Sequence, residues 1–474
     1  MKFAPALFFL VLVVVFGAES FGESDSTDSR QRVVVLTDIS NEPDDEESLV
    51  RFLVYSNEFD IEGLIATTST HLRTATREDL IRRQIDAFAE VRDNLIIHAK
   101  GYPAADQLRA VTKTGQPKYG MAAVGDRKSS AGSRHLIKVI DERDERPVWV
   151  TVWGGANTLA QALWDVKQSR DDAAVAEFVS KLRVYTISDQ DDAGPWIRAQ
   201  FPSLFYIVSP GGDYGRATWN GIAGDRMRKT GVMHHFAMVD NPWLEENIIE
   251  NHGPLGALYP RVEYIMEGDT PSFLGLINNG LAWHVRPDYG GWGGRYELAQ
   301  PNGEPRPIWT DSADTVTSDD NGRSETSNGA TIWRWREHFQ SDFAARMDWC
   351  VADEFNKANH NPMAALNGDK TTSVIEIAAK PGDTVELTAE GSSDPDGDRI
   401  GYRWWIYEEA STLRDPDAKR FPDNVTFSSV EAPTTRLIAP QVSRPSTIHV
   451  ILEVTDDGTP KLWSYGRAVV TVQP

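Results

Sequence analysis

Six carboxylates crowd into one short run of the chain, TDISNEPDDEE at 37–47: Asp38, Glu42, Asp44, Asp45, Glu46 and Glu47. No Lys or Arg lies among them, and the run follows directly on the apolar VVVL of 33–36. Carboxylates at van der Waals range repel, so such a knot needs water, a proton or a metal ion to hold it together. Acids at a helix start also favour the helix dipole, which accounts for Glu46 and Glu47 as solvent-facing residues. It does not account for Asp38, at the end of a strand and opposite Asp44 and Asp45. The spacing therefore favours a hard-cation site over a solvated turn.

The elements that must place these acids show as an alternating pattern. VVVLTD (33–38) precedes SLVRFLVYS (48–56), and IEGLIATT (61–68) precedes REDLIRRQIDAFAEVR (77–92). LIIHAK (95–100), HLIKVIDERD (135–144), VWVTVW (148–153), TLAQALWDVK (158–167), LRVYTIS (182–188) and SLFYIVS (203–209) continue it. Runs apolar at nearly every position mark strands buried on both faces, so the fold class is an α/β open, mostly parallel sheet flanked by helices. Pro43 suits a first helical turn. The knot then occupies the turn outside the carboxyl end of a central strand, where such sheets bind ligands. From 362 the texture changes to strands punctuated by PGD, PDGD and DDG turns. This predicts an immunoglobulin-like β-sandwich over 362–474, behind a linker at 356–361.

A chain of 474 residues has room for roughly two or three domains. Its formal net charge of −22 argues against a nucleic-acid partner, because phosphate binding relies on clustered Lys and Arg. MKFAPALFFLVLVVVFGAES (1–20) has the layout of a secretory signal peptide, and FGESDSTDSRQR (21–32) that of a flexible leader. No later run is long enough to span a bilayer, so the mature protein is expected to be exported, periplasmic or extracellular, without a membrane partner. The single cysteine, Cys350, excludes an intramolecular disulfide and reads as a buried helix residue. None of these features fixes an oligomeric state.

VVVLTDISNEPDDEESLVRFL resembles the N-terminal signature of the nucleoside hydrolases, where a strand ends in Asp-x-Asp-Pro-Gly-x-Asp-Asp and the acids hold a Ca²⁺ that also grips a sugar diol. More closely, 33–355 resembles a secreted bacterial branch, the cellulose-binding, nucleoside-hydrolase-like family. The resemblance runs through TDISNEPDDEESLVRFL, TVWGGANTLAQAL, ISDQDDAGPWIR, HGPLGALYP, EGDTPSFL, GGWGGRYE and the C-terminal sandwich. It implies Ca²⁺ as cofactor and a carbohydrate or glycoside as substrate. By position it makes Asp38 both a metal ligand and the base that orients the attacking water, Asp45 the main metal ligand, and Asp44 a neighbour that touches the sugar. It makes Trp153 the donor of a backbone carbonyl, Asp269 the distant acid that completes the shell, and Asn157 a sugar contact. The implied chemistry is cleavage of a glycosyl bond by a Ca²⁺-activated water, with Asp38 removing its proton as oxocarbenium character builds on the sugar.

Departures from that pattern bear on the substrate. Asp38 and Asp44 are separated by two more residues than the corresponding acids, and Gly268 stands where many nucleoside hydrolases carry a histidine near the leaving base. The Glu and Asn that hold ribose in those enzymes have no plain match here. An O-glycosidic bond is therefore expected ahead of an N-ribosyl one. The alternative from another class is a non-catalytic cellulose- or polysaccharide-binding protein, since chemistry belongs to the site and not to the fold. Further substrate contacts are expected from Asp189, Asp191 and Trp196 in SDQDDAGPWIR, against a solvated loop. Trp292 and Tyr296 in GGWGGRYE suit stacking on a sugar face, or else a loop over the core, and His252 suits an acid catalyst or a structural role.

Overall fold

Val33, Val34, Val35 and Leu36 are fully buried and feed two cores in alternation, Val33 and Val35 on one face and Val34 and Leu36 on the other. Two-sided burial is what makes β1 (Gln31–Thr37) a central strand. The computed structural model describes residues 30–40, 42–211, 214–224, 232–415 and 419–474; the expected signal peptide and most of the expected leader lie outside the described residues.

β1 pairs in parallel with β2 (Phe59–Ala66) and with β4 (Val148–Val152), while β3 (Thr112–Thr114) extends the sheet beyond β2. On the other side β5 (Leu182–Ser188), β6 (Phe205–Ser209) and β8 (Ile308–Asp311) continue in parallel, and β7 (Tyr296–Ala299) closes the edge antiparallel to β8. The order is β3-β2-β1-β4-β5-β6-β8-β7. Helices α1 (Asp44–Val54), α2 (Glu78–His98), α3 (Ala105–Val111) and α8 (Arg336–Trp349) pack into the core on one face. Helices α4 (Ala131–Asp141), α5 (Asn157–Ser169), α6 (Asp172–Ser180) and α7 (Ala193–Gln200) cover the other. LIIHAK does not open a strand: Leu95 turns into the core as the last turn of α2, and Ile96 and Ile97 are exposed. Cys350 follows α8 and is buried, as expected. Among the described residues no helix is long and apolar enough to cross a membrane.

After a hairpin of β9 (Asp314–Thr317) and β10 (Ser324–Ser327), six strands build the C-terminal domain. β11 (Ile375–Ala379), β13 (Gly401–Ile406), β15 (Ser446–Thr455) and β16 (Trp463–Val472) form a sheet in the order β11-β16-β15-β13, and β12 (Thr384–Thr388) pairs with β14 (Thr434–Ile438) in a second. Leu387, Trp404, Leu437 and Val450 fill the space between them, giving the predicted sandwich.

This sandwich is fused to the larger domain. Tyr407, Ile451, Trp463 and Tyr465 belong to the same core as Val33 and Trp335, and the Trp335 ring meets those of Trp405, Tyr407 and Tyr465 at 5.6–6.2 Å. The expected linker at 356–361 is part of the junction. Asn361 Nδ2 donates to Asp342 (2.7 Å), Asn359 Nδ2 donates to Asp456 (3.0 Å), and His360 is buried against Phe355 and Trp349. Its polar composition, which resembles a tether, serves instead to satisfy buried acids on both sides.

Candidate functional site

The carboxyl end of β1 runs straight into the acidic turn. Ile39 N donates to Thr37 Oγ1 (3.1 Å) and the Thr37 hydroxyl donates to Asp45, so the strand end is clamped to the first turn of α1. Asp38 and Asp45 are buried, with Asp44 beside them at the helix start. Asp269 arrives from the far side of α1. Its loop is held by Glu267, which is fully buried at φ +50° and accepts from Arg51 Nη2 (3.1 Å), Tyr259 OH (2.7 Å) and Thr270 Oγ1 (2.8 Å). Glu267 N donates to Glu47 Oε2 (2.8 Å), so Glu47 is not the solvent-facing acid expected from the sequence. Within α1 only Asp44 and Glu46 are partly exposed.

One carboxylate oxygen each of Asp44, Asp45 and Asp269 lies within 4.8 Å of the others, and Asp38 and Glu42 line the same cavity. Ligands at about 2.4 Å from a shared Ca²⁺ stand at most about 5 Å apart, so the spacing suits such an ion. Burial comes first in raising the carboxyl pKa values: Asp44 to about 7, Asp45 and Asp269 well above the usual range, and Asp38 upward. Neighbouring acids push Asp44, Asp45 and Asp269 further, whereas the Ser69 hydroxyl and His71 act against the rise at Asp38. Asp38 Oδ1 and Asp269 Oδ2 are buried and meet no hydrogen-bond donor among the described residues. Two glycines make the room. A Cβ on Gly154 would lie 2.1 Å from Asp38 Oδ1, and one on Gly268 2.7 Å from Asp44 Oδ2. Acceptors without donors, in an all-oxygen set, suit a hard divalent cation.

The cavity over these acids measures about 230 Å³, and among the described residues its lining has no Lys or Arg. That is below the roughly 300 Å³ at which pockets for drug-sized ligands begin, and it suits one sugar ring. Its walls are Ile187, Ser188, Gln190, Tyr214, Trp219, Asn220, Tyr264 and Ile265, with His71 at the mouth. A larger cleft of about 730 Å³ opens at the amino ends of β1 and β2, but its acids are already neutralised. Asp60 pairs with Arg30 and Arg146 (2.7 and 2.6 Å) and Glu62 with Arg32 (2.8 Å).

The other expected site residues make contacts of their own. The Trp153 carbonyl accepts from Gln190 Nε2 (2.9 Å), and its buried indole donates to Ser272 Oγ (2.9 Å). Asn157 Nδ2 donates to Thr68 Oγ1 and the Lys118 carbonyl (3.0 and 2.8 Å), and Asp191 accepts the amides of Asn157 and Ala193 (3.1 and 2.9 Å). These two therefore lock the turns after β4 and β5 to each other. Burial raises the Asp191 carboxyl to about 6. Asp189 forms a two-pronged pair with Arg198 (2.8 and 2.9 Å), and Trp196 packs on Phe201 against the second core. His252 Nε2 meets Asp348 Oδ1 at 3.2 Å, which is the structural role.

Trp292 and Tyr296 correct the stacking expectation. Trp292 is 2% exposed with its Nε1 donating to Tyr465 OH (3.0 Å), and Tyr296 is fully buried against Tyr185. Glycines around an indole here allow close packing between domains rather than an open platform. None of these residues, from Trp153 to Tyr296, lines the cavity.

Sequence reasoning missed His71, Tyr214, Trp219 and Tyr264, and passed over Gln190 in favour of its neighbours Asp189 and Asp191. His71 and Gln190 carried a usable signal, since both follow the carboxyl ends of strands, β2 and β5, at the same edge as Asp38. Tyr214 and Trp219 lie in short irregular turns after β6, where no periodicity announces them.

Two family models match the chain: "Cellulose-binding Sde182, nucleoside hydrolase-like domain" over 32–296, and "Cellulose-binding protein Sde0182, C-terminal domain" over 384–472. Among solved structures, a nucleoside hydrolase-related hypothetical protein from Saccharophagus degradans, described as associated with carbohydrate metabolism, is 36% identical. That comparison covers 94% of this chain and 100% of the other, with a TM-score of 0.79. The type III effector XopQ, solved with adenosine diphosphate ribose, is 11% identical over 68% of this chain and 95% of its own. Its TM-score of 0.32 is too low to bear on the site. No curated protein matches. The first family model alone spans more than half of the chain and includes every acid from Asp38 to Asp269. On that match, and on the full-length likeness to the Saccharophagus degradans protein, this chain belongs to the cellulose-binding Sde182, nucleoside hydrolase-like family.

Proposed function

We propose that the protein is an exported, Ca²⁺-dependent hydrolase of glycosyl bonds, acting on an O-glycosidic bond in a glycan or oligosaccharide. One observation carries this reading: Asp38, Asp44, Asp45 and Asp269 converge on a cavity of a size for one sugar ring, with no basic side chain other than His71 among the described residues of its lining. Asp44, Asp45 and Asp269 would hold the ion, with Asp38 as a further ligand from the same cavity. When bound, Ca²⁺ supplies Lewis-acid charge and coordination positions for sugar hydroxyls. Asp38, whose Oδ1 has no competing donor among the described residues, takes a proton from water, a contribution of roughly 10²- to 10⁴-fold for a placed general base. Gln190 has its amide nitrogen fixed on the Trp153 carbonyl, so its unpartnered Oε1 is left to accept from a sugar hydroxyl. Trp219 and Ile265 form an apolar wall that excludes water, and Tyr264, 57% exposed, offers a ring at the rim.

A carbohydrate ligand is supported by the family's description and by the stated association of the Saccharophagus degradans relative with carbohydrate metabolism. Export is supported by the charged, apolar, then small-residue layout of 1–20. The family's description equally favours the second reading, a non-catalytic polysaccharide-binding protein that keeps the pocket. The deciding experiment screens purified mature protein against plant and algal glycans and against nucleosides, with and without a calcium chelator. Release of reducing sugar that stops on chelation supports the hydrolase. Retention on a glycan without release supports the binder, free base from a nucleoside supports a nucleoside scavenger, and inertness toward all of them at millimolar calcium rejects the proposal.

A further inference from the structure

Away from the acid cluster, two consecutive histidines face a pair of carboxylates. His234 and His235 lead into the short helix Phe236–Val239, and His235 has a left-handed φ of +45°. Adjacent side chains ordinarily diverge, but this backbone turn brings the two rings to 4.3 Å between centroids. Opposite them are Asp319, in the turn of the β9–β10 hairpin, and Glu337, in the first turn of α8. One ring nitrogen of each histidine and one Asp319 oxygen lie within 4.8 Å of one another.

The distances are too long for direct hydrogen bonds. His235 Nε2 stands 3.5 Å from Asp319 Oδ2 and 3.6 Å from Glu337 Oε2, beyond the roughly 2.7–3.2 Å of a hydrogen bond. His–carboxylate pairs elsewhere in this chain do close, to 3.0 Å at His360–Asp396 and 3.2 Å at His252–Asp348. Ligands about 2.05 Å from one tetrahedral ion stand about 3.3 Å apart, and 3.5 and 3.6 Å are near that edge length. His234 Nδ1 accepts the Asp319 amide over a long 3.3 Å, a bond that ligation through this nitrogen would replace. His234 is anchored from behind, because Arg336 Nη1 donates to its carbonyl (2.6 Å). His235 is one-fifth exposed and Asp319 mostly exposed, which leaves a way in for an ion.

We propose that His234, His235 and Asp319 form a second metal site, which takes a transition-metal dication of the Zn²⁺ class, with water in its fourth position and Glu337 beside His235. Two imidazoles and a carboxylate are a donor set for a borderline ion, whereas the all-oxygen cluster at Asp38 suits a hard one. The bound ion staples the 232–239 segment to the β9–β10 hairpin.

The test uses full-length mature protein saturated with calcium. It is titrated with Zn²⁺ against a chromophoric chelator, and separately with Co²⁺ followed by visible absorption. One tight Zn²⁺ equivalent is expected, with the intense Co²⁺ bands of a four-coordinate ion. His235→Gln should lose that equivalent, weakening it beyond the roughly 10- to 100-fold that removal of an outer-shell partner costs. Asp319→Asn, on an exposed turn where folding is not at stake, should weaken it as well. Asp269→Asn should leave it in place. The same Zn²⁺ affinity in His235→Gln, a pale six-coordinate Co²⁺ spectrum, or no Zn²⁺ retained at micromolar free concentration would overturn the assignment.

Discussion

Gly154 packs against Asp38 so closely that a Cβ at position 154 would lie 2.1 Å from Asp38 Oδ1, 2.6 Å from Cγ and 2.8 Å from Cβ. The whole aspartate side chain is in the way and not only its tip, so no rotation of the carboxylate relieves the clash. Gly154→Ala should therefore displace Asp38 while the β1–β4 pairing survives. Calorimetry should find calcium affinity reduced by at least about tenfold, roughly 1.4 kcal/mol, with an unchanged far-ultraviolet dichroism spectrum. Unaltered calcium binding would mean that Asp38 is not a ligand.

Asp38→Asn separates the two functional readings. The amide keeps the shape of the side chain but cannot act as a base. If the protein is a hydrolase, kcat should fall by about 10²- to 10⁴-fold, with glycan affinity changed far less. Steady-state kinetics and a binding isotherm on the same glycan make the comparison. Equal turnover in both proteins would remove Asp38 from the base role.

Removing the cation should expose the pH dependence of the cluster. In the folded chain Asp38, Asp44, Asp45 and Asp269 all have raised carboxyl pKa values, first by burial, and Asp44 reaches about 7. In the unfolded chain they titrate near about 3.9. Groups with raised folded values contribute stability that is complete below the unfolded value and lost as pH rises through the folded one. The chelated protein should thus lose Tm steadily from pH 4 to pH 7 and beyond, and saturating calcium should flatten that fall. A chelated protein whose Tm climbs over this interval would contradict it.

Arg51 and Glu267 join α1 to the loop that delivers Asp269, and neither side chain is exposed. Arg51→Met leaves the Glu267 charge buried without its partner, which costs about 3–5 kcal/mol. The urea midpoint should drop with little change in slope, and calcium affinity should fall with it because Asp269 loses its support. The double variant with Glu267→Gln should recover part of the stability, since the buried charge is then gone. No recovery would show that the pair acts through packing alone.

The acid cluster was legible because it lies where a general rule places ligands, directly after a strand whose VVVL run cannot be solvated. Asp269 came only through the likeness of EGDTPSFL to a known motif, since 224 residues separate it from Asp45 and no local pattern connects them. The failures share one cause. Glu47, Trp292 and Tyr296 were read by residue type as solvent- or ligand-facing, but their surroundings come from distant segments: the 265–270 loop for Glu47, β16 for Trp292, β5 for Tyr296. Burial created by distant segments leaves no trace in the local sequence.

The domain junction yields the last expectation. Tyr465 OH accepts from Trp292 Nε1 (3.0 Å) and meets His338 Nδ1 (2.6 Å), while the His338 ring stacks on Trp463 at 4.2 Å between centroids. Burial holds His338 well below its ordinary pKa, and His449, at the same junction, is pushed down to about 3. Groups with lowered folded values contribute stability that is present above the unfolded pKa, about 6.5 for histidine, and lost as pH falls toward the folded one. Because the aromatic contacts run from one domain's core into the other's, the two should unfold in one cooperative transition at neutral pH. Tyr465→Phe orphans the buried Trp292 donor and should cost about 1–3 kcal/mol, moving that single transition as a whole. Below about pH 6 the imidazoles begin to take up protons on unfolding, and scanning calorimetry should show the junction weakening before the Asp38 cluster, whose raised acids favour low pH. Two separate transitions at neutral pH, or a Tyr465→Phe effect confined to the sandwich, would show that the domains are independent.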